Sequence, residues 1–215
     1  AGFIDLDKQY LNVGVNGFVE AGEFLGIDIH YDSPEYRQFA ADILGTIEGL
    51  NRAHRTEHTK FNLEFVPGES LGHKFAKWDK QDGYMSGREC HNSYFYRVED
   101  ELSAVDRFYY QGKGYADICS CGVALHNNLS DHLTAEQYRK LMDVAVDAGC
   151  NYFTYNIPNT ICNDCGFISK HMLTSCPKCH SENLDYATRI IGYLKRISNF
   201  SEVRQREAAK RHYSR

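Results

Sequence analysis

Two closely spaced cysteine pairs, Cys162-Asn-Asp-Cys165 and Cys176-Pro-Lys-Cys179, lie near the end of this 215-residue sequence. Two residues between the cysteines of a pair let one tight turn present both sulfurs to the same ion, and the ten residues between the pairs are enough for a short β-hairpin. Thiolates favour Zn²⁺ over Mg²⁺ or Ca²⁺, and four protein ligands close a tetrahedral site. We therefore predict a structural zinc-ribbon-like knot over residues 159–184, held by Cys162, Cys165, Cys176 and Cys179.

Other interpretations of these cysteines stay open at the level of sequence. Iron binds the same four sulfurs, and the spacing does not distinguish it from zinc. His171 and His180 lie close enough along the chain to replace a cysteine as ligand, although exposed surface histidines are the more common case. A redox dithiol needs only one Cys-x-x-Cys pair, so two pairs at this spacing favour a metal.

The composition is that of a soluble globular protein, with 42% hydrophobic and 25% charged residues. A formal net charge of −5 argues against general binding to nucleic acid or to a membrane surface. The sequence contains no apolar run of the length that spans a bilayer and no signal peptide at its start. Paired cysteines without a secretion signal indicate a reducing compartment, and we expect a cytoplasmic protein.

Helix and strand signals alternate along the chain, which predicts the α/β class. Ser33-Pro34-Glu35 is typical of a helix start, and apolar residues continue from it at helical spacing as far as Leu50. A second helix begins with the capping box Thr134-Ala-Glu-Gln137 and ends at Gly149. A strand follows at once over residues 151–155.

Weaker patterns give the remaining elements. The glycine-rich stretch over residues 14–26 predicts a short, closely packed helix, and the charged tail over 201–215 predicts another. Residues 61–65 alternate as a strand, residues 93–98 suggest a short strand, 75–89 a loop and 127–131 a turn. In the helix that begins at Thr134, we expect four apolar side chains to face inward: Leu141, Met142, Ala145 and Val146.

The segment Arg189-Ile-Ile-Gly192-Tyr193-Leu194 follows thirteen residues after Cys179, counted to the glycine. Together with the cysteine pairs, it resembles the C-terminus of anaerobic (class III) ribonucleoside-triphosphate reductases, which are glycyl radical enzymes. The resemblance covers essentially the whole chain. It includes Phe65-Val-Pro-Gly-Glu-Ser70, Asn92-Ser93, the helix over 133–149 and Tyr155-Asn156-Ile-Pro158.

The resemblance implies the C-terminal part of a ten-stranded α/β barrel of the glycyl radical enzyme type. It divides the chain into a partial barrel (1–158), the zinc-binding knot (159–184) and the glycyl radical loop with the C-terminal tail (185–215). Gly192 becomes the catalytic residue, because an activating enzyme with an iron–sulfur cluster and S-adenosylmethionine removes a hydrogen atom from its Cα. A glycine suits this role, since a side chain would crowd a planar radical centre and block close approach in a narrow interior.

The same resemblance implies a reaction and a set of partners. The radical passes to a cysteine thiyl, which takes the 3′ hydrogen of a ribonucleoside triphosphate, and formate serves as reductant in many members. The product is a deoxyribonucleotide for DNA replication, and the complete enzyme is expected to be a homodimer. Family chains are roughly three times longer than this one, so we expect a separate or missing N-terminal portion and an incomplete, inactive chain on its own.

The thiyl-forming cysteine is not identified in this sequence. Cys90, Cys119, Cys121 and Cys150 match no family context, and each is expected to be structural, with Cys119 and Cys121 alternating on a strand. Glu69, Asn92 and Asn156 are candidates for polar groups that line the barrel, although capping and turn hydrogen bonds explain them equally well.

Two alternative functions are kept. The first is another glycyl radical enzyme of the formate-lyase type, against which the zinc pairs argue. The second is a non-enzymatic zinc-ribbon module that binds nucleic acid or protein. The knot has only Lys170 and Lys178 as strong cations and the whole chain is acidic, so that no electrostatic footprint for nucleic acid is present.

Overall fold

The computed structural model describes residues 2–65, 68–84, 87–189 and 194–214, without the side chains of Leu6 and Glu69. Two short 3₁₀ turns cover Leu6–Lys8 and Ile197–Asn199. The helices are α1 (Phe18–Phe24), α2 (Pro34–Ala53), α3 (Glu69–Asp82), α4 (Ala104–Tyr110), α5 (Ala135–Ala148) and α6 (Glu202–Lys210). The strands are β1 (Tyr10–Gly14), β2 (Lys60–Glu64), β3 (Ala124–Asn128), β4 (Tyr152–Asn156), β5 (Asn159–Cys162), β6 (Ile168–Ser169), β7 (Leu184–Arg189) and β8 (Leu194–Arg196).

Two parallel strand pairs confirm the α/β class. β1 pairs with β2, so that Tyr10 faces Lys60, and β3 pairs with β4, so that Ala124 faces Tyr152. A parallel bridge between Phe65 and Val123 joins the pairs, and the Ala124 N–H donates to the Phe65 carbonyl at 2.8 Å. The strands therefore follow one another in the order β1, β2, β3, β4, with helices in the connections, because parallel neighbours need a crossover.

Aromatic side chains form much of the core between these strands and their helices. Phe65 and Phe95 stack with ring centroids 4.1 Å apart, and Phe18 packs edge-on against both. The predicted close packing of the first helix is confirmed at Gly22, where an added Cβ would lie 2.6 Å from the Ile29 side chain. Glycine at this position therefore lets α1 approach its neighbours.

The long helices begin and end as the sequence predicts. The Ser33 hydroxyl accepts a hydrogen bond from the Tyr36 N–H at 3.3 Å, and Thr134 and Gln137 complete the capping box of α5. Gly149 ends α5 with a φ of 75°, which an L side chain adopts only under strain. Strand β4 follows directly, as predicted, and α6 occupies the predicted helical tail.

The predicted loop over residues 75–89 is wrong, because α3 extends from Glu69 to Asp82. The helix packs through two small residues, Gly72 and Ala76, rather than through a stripe of large apolar ones. An added Cβ on Gly72 would lie 2.8 Å from the His91 carbonyl oxygen. Because the contact residues are small, the sequence shows no stripe of large apolar residues at helical spacing.

The predicted strand over residues 93–98 is also wrong. This segment bends instead, and its backbone groups pair with side chains: the Phe95 N–H donates to Gln111 at 3.3 Å, and the Val98 N–H donates to Asn92 at 2.9 Å. The Tyr36 hydroxyl in turn donates to the Phe95 carbonyl at 2.9 Å. Side-chain partners thus replace a strand ladder here.

Four smaller predictions need correction. The predicted turn at 127–131 begins inside β3, which ends at Asn128. The α5 face that packs inward carries Ala145, with Leu141 half-buried, whereas Met142 and Val146 are exposed. Leu50, at the end of the α2 stripe, is exposed as well. The segment from Cys119 to Cys121 is a bend before β3 and not a strand.

The C-terminal third forms a separate antiparallel sheet of order β6-β5-β7-β8. Asn159 faces Ala187 in the β5–β7 pair, and Arg189 faces Leu194 in the β7–β8 pair. This sheet contains residues from both the 159–184 and the 185–215 segments, whose division stays a prediction. None of the helices in the described parts of the chain is long and apolar enough to span a membrane.

A buried arginine ties the end of the chain to the parallel strands. Arg107 is 2% exposed and donates to the carbonyls of Asn128 (2.9 Å) and His212 (2.7 Å) and to the Ser214 hydroxyl (3.3 Å). Ser214 also forms a parallel bridge with Leu129. The guanidinium group therefore supplies hydrogen bonds that join α4, β3 and the tail after α6.

We expect Arg107→Leu to lower the free energy of unfolding by about 2–4 kcal/mol, because it leaves buried carbonyls without donors. Urea unfolding measures the change. The matched control is Arg206→Leu, since Arg206 forms an exposed ion pair with Glu89 that contributes at most about 1 kcal/mol. Equal stability of the two variants would contradict this role of Arg107.

Candidate functional site

The four predicted cysteines lie together, with their sulfurs all within 4.8 Å of one another. The Sγ atoms of Cys162 and Cys179 are 3.6 Å apart, and those of Cys165 and Cys176 are also 3.6 Å apart. A disulfide requires about 2.05 Å between sulfurs. Four sulfurs at about 2.3 Å from a central Zn²⁺ lie about 3.8 Å apart along a tetrahedron edge. The arrangement therefore fits a tetrahedral metal ion and does not fit two disulfides.

Each Cys-x-x-Cys turn has the same backbone hydrogen bonds. The N–H of the first cysteine donates to the carbonyl five residues later, from Cys162 to Phe167 and from Cys176 to Ser181, both at 2.8 Å. Its carbonyl accepts the N–H four residues later, from Gly166 at 3.0 Å and from His180 at 2.8 Å. The two turns thus have the same backbone structure, and each turn contributes two sulfurs to the cluster of four.

The fourth residue after each first cysteine has a left-handed backbone. Gly166 has a φ of 72°, as its type favours, and His180 has a φ of 59°. His180 is the only residue other than glycine with positive φ among the described ranges. Its unusual backbone follows from the repeat of the turn rather than from contacts of its exposed imidazole.

Backbone donors favour charged sulfur at the cluster. Burial acts to raise the pKa of Cys176, but N–H groups of Cys179 and Lys178, together with the side chains of Cys165 and Cys179, outweigh it and lower that pKa to about 7. The neighbouring sulfurs act in the opposite direction at Cys179, whose pKa rises to about 12, and the pKa of Cys165 is also raised. Hydrogen bonds to a thiolate stabilise the charged form, which is the form that binds a metal. The donors are therefore placed as a metal–thiolate site requires.

Neither candidate histidine belongs to the cluster, which consists of the four cysteines alone within the described residues. The His171 Nδ1 instead lies 2.7 Å from Asp131, and both side chains are exposed. The two cysteine turns are also joined to each other, since the Asn163 N–H donates to the Asn183 carbonyl at 3.0 Å and the Ser181 hydroxyl donates to Asp164. Polar contacts around the sulfurs thus hold the turns together.

We expect His180→Gly to leave the metal content of the protein unchanged, because the position requires a backbone conformation and not an imidazole ligand. Stability should stay equal or rise by about 1 kcal/mol, since glycine adopts this φ without steric strain. His180→Val serves as the control and should destabilise the protein. Metal analysis with thermal unfolding measures both effects, and loss of metal from His180→Gly would show that the imidazole is a ligand.

Gly192 lies in residues 190–193, outside the described residues, so its predicted role stays a prediction. Arg189 and Leu194, which flank the segment 190–193, face each other in the β7–β8 pair. β7 also pairs with β5, whose last residue is Cys162. One sheet therefore contains Cys162 of the cysteine cluster and the two residues that flank the segment with Gly192.

Asn156 connects this sheet to the parallel strands. Its side chain is 1% exposed, and its Oδ1 accepts hydrogen bonds from the Thr188 hydroxyl and from the Arg189 N–H, both at 2.9 Å. Its Nδ2 donates to the Asn128 Oδ1 at 2.8 Å. The C-terminal end of β4 thus contacts the end of β7 directly, and the end of β3 supports it through Asn128.

A small cavity of about 50 Å³ lies beside Arg189. Its lining includes one carboxylate, Glu207, and four guanidinium groups, from Arg107, Arg189, Arg204 and Arg211. Burial acts to raise the pKa of Glu207, but Arg211 and Arg204 hold it below its ordinary value. The charged groups described around this cavity are therefore mainly positive.

His126 lines the same cavity, and its pKa is shifted there. Burial lowers its pKa to about 4, and the charges of Arg211 and Arg189 act in the same direction. The imidazole is therefore neutral in the folded protein at pH 7, whereas in an unfolded chain it would bind a proton near pH 6.5.

We expect this difference to remove up to about 3 kcal/mol of stability as the pH falls from 6.5 to 4, because the unfolded chain binds the proton first. Above pH 6.5 the group has no effect on stability. Urea unfolding at pH 7 and pH 4.5 measures the loss, which should be smaller in His126→Leu. Identical pH dependence in the two proteins would contradict the lowered pKa.

The other four cysteines do not form a second cluster among the described residues. Cys119 and Cys150 lie in the core, and burial raises their pKa values to about 12 and about 11. Burial also raises the pKa of Cys90, although Arg204 acts in the opposite direction. Cys119 and Cys150 therefore behave as buried structural thiols, as the sequence suggests.

Of the three polar candidates, Asn92 is buried and binds Glu20 and Val98 as a structural group. The side chain of Glu69 lies outside the described residues. The sequence analysis missed Arg107 and Asn128, whose partners are far away in sequence. An arginine and an asparagine among buried apolar residues are the only local signal of such roles.

The family model for anaerobic ribonucleoside-triphosphate reductase matches residues 4–213. A solved anaerobic ribonucleotide reductase aligns with a TM-score of 0.83 and 27% identity over 96% of this chain and 34% of its own.

A second solved structure is the anaerobic ribonucleotide reductase from Thermotoga maritima in complex with dATP and CTP. It aligns with a TM-score of 0.80 and 27% identity, over 96% of this chain and 35% of its own. The same reductase with dATP bound in the specificity site aligns with a TM-score of 0.78 and 28% identity, over 93% of this chain and 34% of its own. The chain thus spans about a third of these structures. No curated protein matches it.

Proposed function

The chain belongs to the anaerobic ribonucleoside-triphosphate reductase family, and we propose that it is the part of such an enzyme that carries the radical glycine, Gly192. The supporting observation is the single sheet that contains Cys162 of the cysteine cluster and both neighbours of the segment 190–193. Because the match covers nearly the whole chain, we set aside the formate-lyase-like enzyme and the zinc-ribbon binding module.

In this proposal an activating enzyme with an iron–sulfur cluster and S-adenosylmethionine takes a hydrogen atom from the Gly192 Cα. The radical then takes the hydrogen atom of a cysteine thiol, and the thiyl formed removes the 3′ hydrogen of a bound ribonucleoside triphosphate. The 2′ hydroxyl leaves as water, and formate supplies the reducing electrons. The glycine Cα is suited to this step because it has no side chain to hinder planarity or close approach.

We assign the four cysteines to a structural Zn²⁺. Four thiolates in a closed tetrahedral site leave no position for substrate, so the ion would stabilise structure and not take part in the reaction. Its effect would be to fix the ends of β5 and the chain that leads into β7. The sulfur separations and the backbone donors at Cys176 support this assignment.

The parallel strands β1 to β4 are proposed to form part of the wall of a ten-stranded barrel that the complete enzyme closes. Since the chain spans about a third of its solved relatives, we assign the thiyl-forming cysteine and most of the substrate site to an N-terminal portion. Homodimer formation and a cytoplasmic location would be properties of that complete enzyme.

We expect Gly192→Ala to abolish the EPR doublet of a glycyl radical after anaerobic activation, because alanine lacks the second Cα hydrogen. Air should cut the activated wild-type chain next to Gly192 and release a short C-terminal piece, but it should not cut the variant. EPR and mass spectrometry measure the two effects. A doublet of equal size in Gly192→Ala would place the radical on another residue.

We expect the activated chain alone to reduce no ribonucleoside triphosphate, because the described residues provide no matched thiyl cysteine. Activity should appear when the N-terminal portion is added. The assay follows conversion of labelled CTP to dCTP with formate, with and without that portion. Turnover by the single chain would contradict the proposed division of the active site.

A further inference from the structure

We infer that Asn156 is a positioning residue for the radical glycine, acting through the backbone of Arg189. This inference rests on the proposed function of Gly192. Arg189 is three residues before Gly192 and is the last described residue on that side. A hydrogen bond to the Arg189 N–H therefore restrains the chain directly before residues 190–193, which include Gly192.

The need for this hydrogen bond follows from the end of the β5–β7 ladder. That pairing stops at Asn159 and Ala187, so Thr188 and Arg189 extend past the start of β5. Past that point β5 has no paired residue to offer a ladder carbonyl, so the Arg189 N–H takes a side-chain acceptor instead. On this side of β7, the Asn156 Oδ1 accepts the hydrogen bonds from the Thr188 hydroxyl and the Arg189 N–H.

An asparagine is the residue type that these contacts require. Its amide oxygen accepts two hydrogen bonds, and its amide nitrogen donates to the Asn128 Oδ1 at 2.8 Å. Aspartate keeps the acceptor but loses the donor. Leucine has a similar volume but leaves the half-buried Arg189 N–H without this partner, which is costly.

Asn128, which supports Asn156, is itself held by hydrogen bonds. Asn128 faces Asn156 in the β3–β4 register, and the Asn128 carbonyl accepts hydrogen bonds from Arg107 (2.9 Å) and from the Ser214 N–H (3.0 Å). A continuous set of buried hydrogen bonds thus connects α4 and the C-terminal tail, through two strand ends, to Arg189. Side chains held in this way are suited to fixing a reactive group within a fraction of an ångström.

The test compares Asn156→Leu and Asn156→Asp with a matched control, Asn127→Leu. Asn127 is also fully buried; its Nδ2 donates to the Ala104 carbonyl at 2.9 Å, and its Oδ1 accepts from the same Arg107 at 3.4 Å. The control therefore shares the Arg107 contact but has no hydrogen bond to Arg189 or Asn156 among the described residues. Each full chain is combined with the N-terminal portion and activated without oxygen, and EPR gives the radical content per chain. Zinc content and urea unfolding measure general damage.

We expect Asn156→Leu to lose about tenfold or more of the radical content, since small misplacement of reacting groups is costly. Asn127→Leu should stay within about threefold of wild type, and Asn156→Asp, which keeps the acceptor for Arg189 but loses the donor to Asn128, should retain more radical than Asn156→Leu, with zinc retained in all. Wild-type radical content in Asn156→Leu, or an equal loss in Asn127→Leu, would overturn the inference. If Asn156→Leu does not fold, Asn156→Ser carries the same expectation, because its side chain is too short to reach Arg189.

A second readout does not depend on activation. Hydrogen exchange in the peptide that contains Arg189 should be faster in Asn156→Leu than in wild type or Asn127→Leu, and unchanged exchange would contradict the inference. If the wild-type protein forms no radical, the proposed function of Gly192 fails, and the exchange result still decides whether Asn156 restrains Arg189.

Discussion

The pairing of β7 with β5 on one side and with β8 on the other is the constraint on which the C-terminal third depends. β5 ends at Cys162, so its position fixes one of the two cysteine turns. β7 ends at Arg189, which faces Leu194 across the pair with β8. Cys162 and the two residues that flank the segment 190–193 are therefore parts of one sheet and are connected through strand hydrogen bonds.

The parallel strands contribute a second support, made of polar side chains rather than a ladder. Asn128 and Asn156 lie at the adjacent ends of β3 and β4, and Arg107 binds the carbonyl of Asn128 from α4. Buried polar groups of this kind need complete partners, because an unpaired one is costly. The large aromatic core behind the strands provides the rigid base for them.

Local patterns in the sequence predict much of this fold, whereas long-range contacts escape them. The capping box at Thr134 and the two cysteine turns involve residues within five positions of each other, and the structure contains both. Helix α3 was missed because it packs through Gly72 and Ala76, which leave no apolar stripe. The roles of Arg107 and Asn156 depend on partners 107 and 32 residues away, at Ser214 and Thr188, which no local pattern indicates.

We expect a metal at the four cysteines to hold β5, β7 and β8 together as one mechanical unit. Hydrogen exchange before and after removal of the metal with a chelator tests it most directly. Amides in β5, β7 and β8 should lose protection together, while those in β3 and β4 stay protected. Continued protection of β7 and β8 after complete metal removal would contradict it, because the cysteine cluster would then not support the segment that holds Gly192.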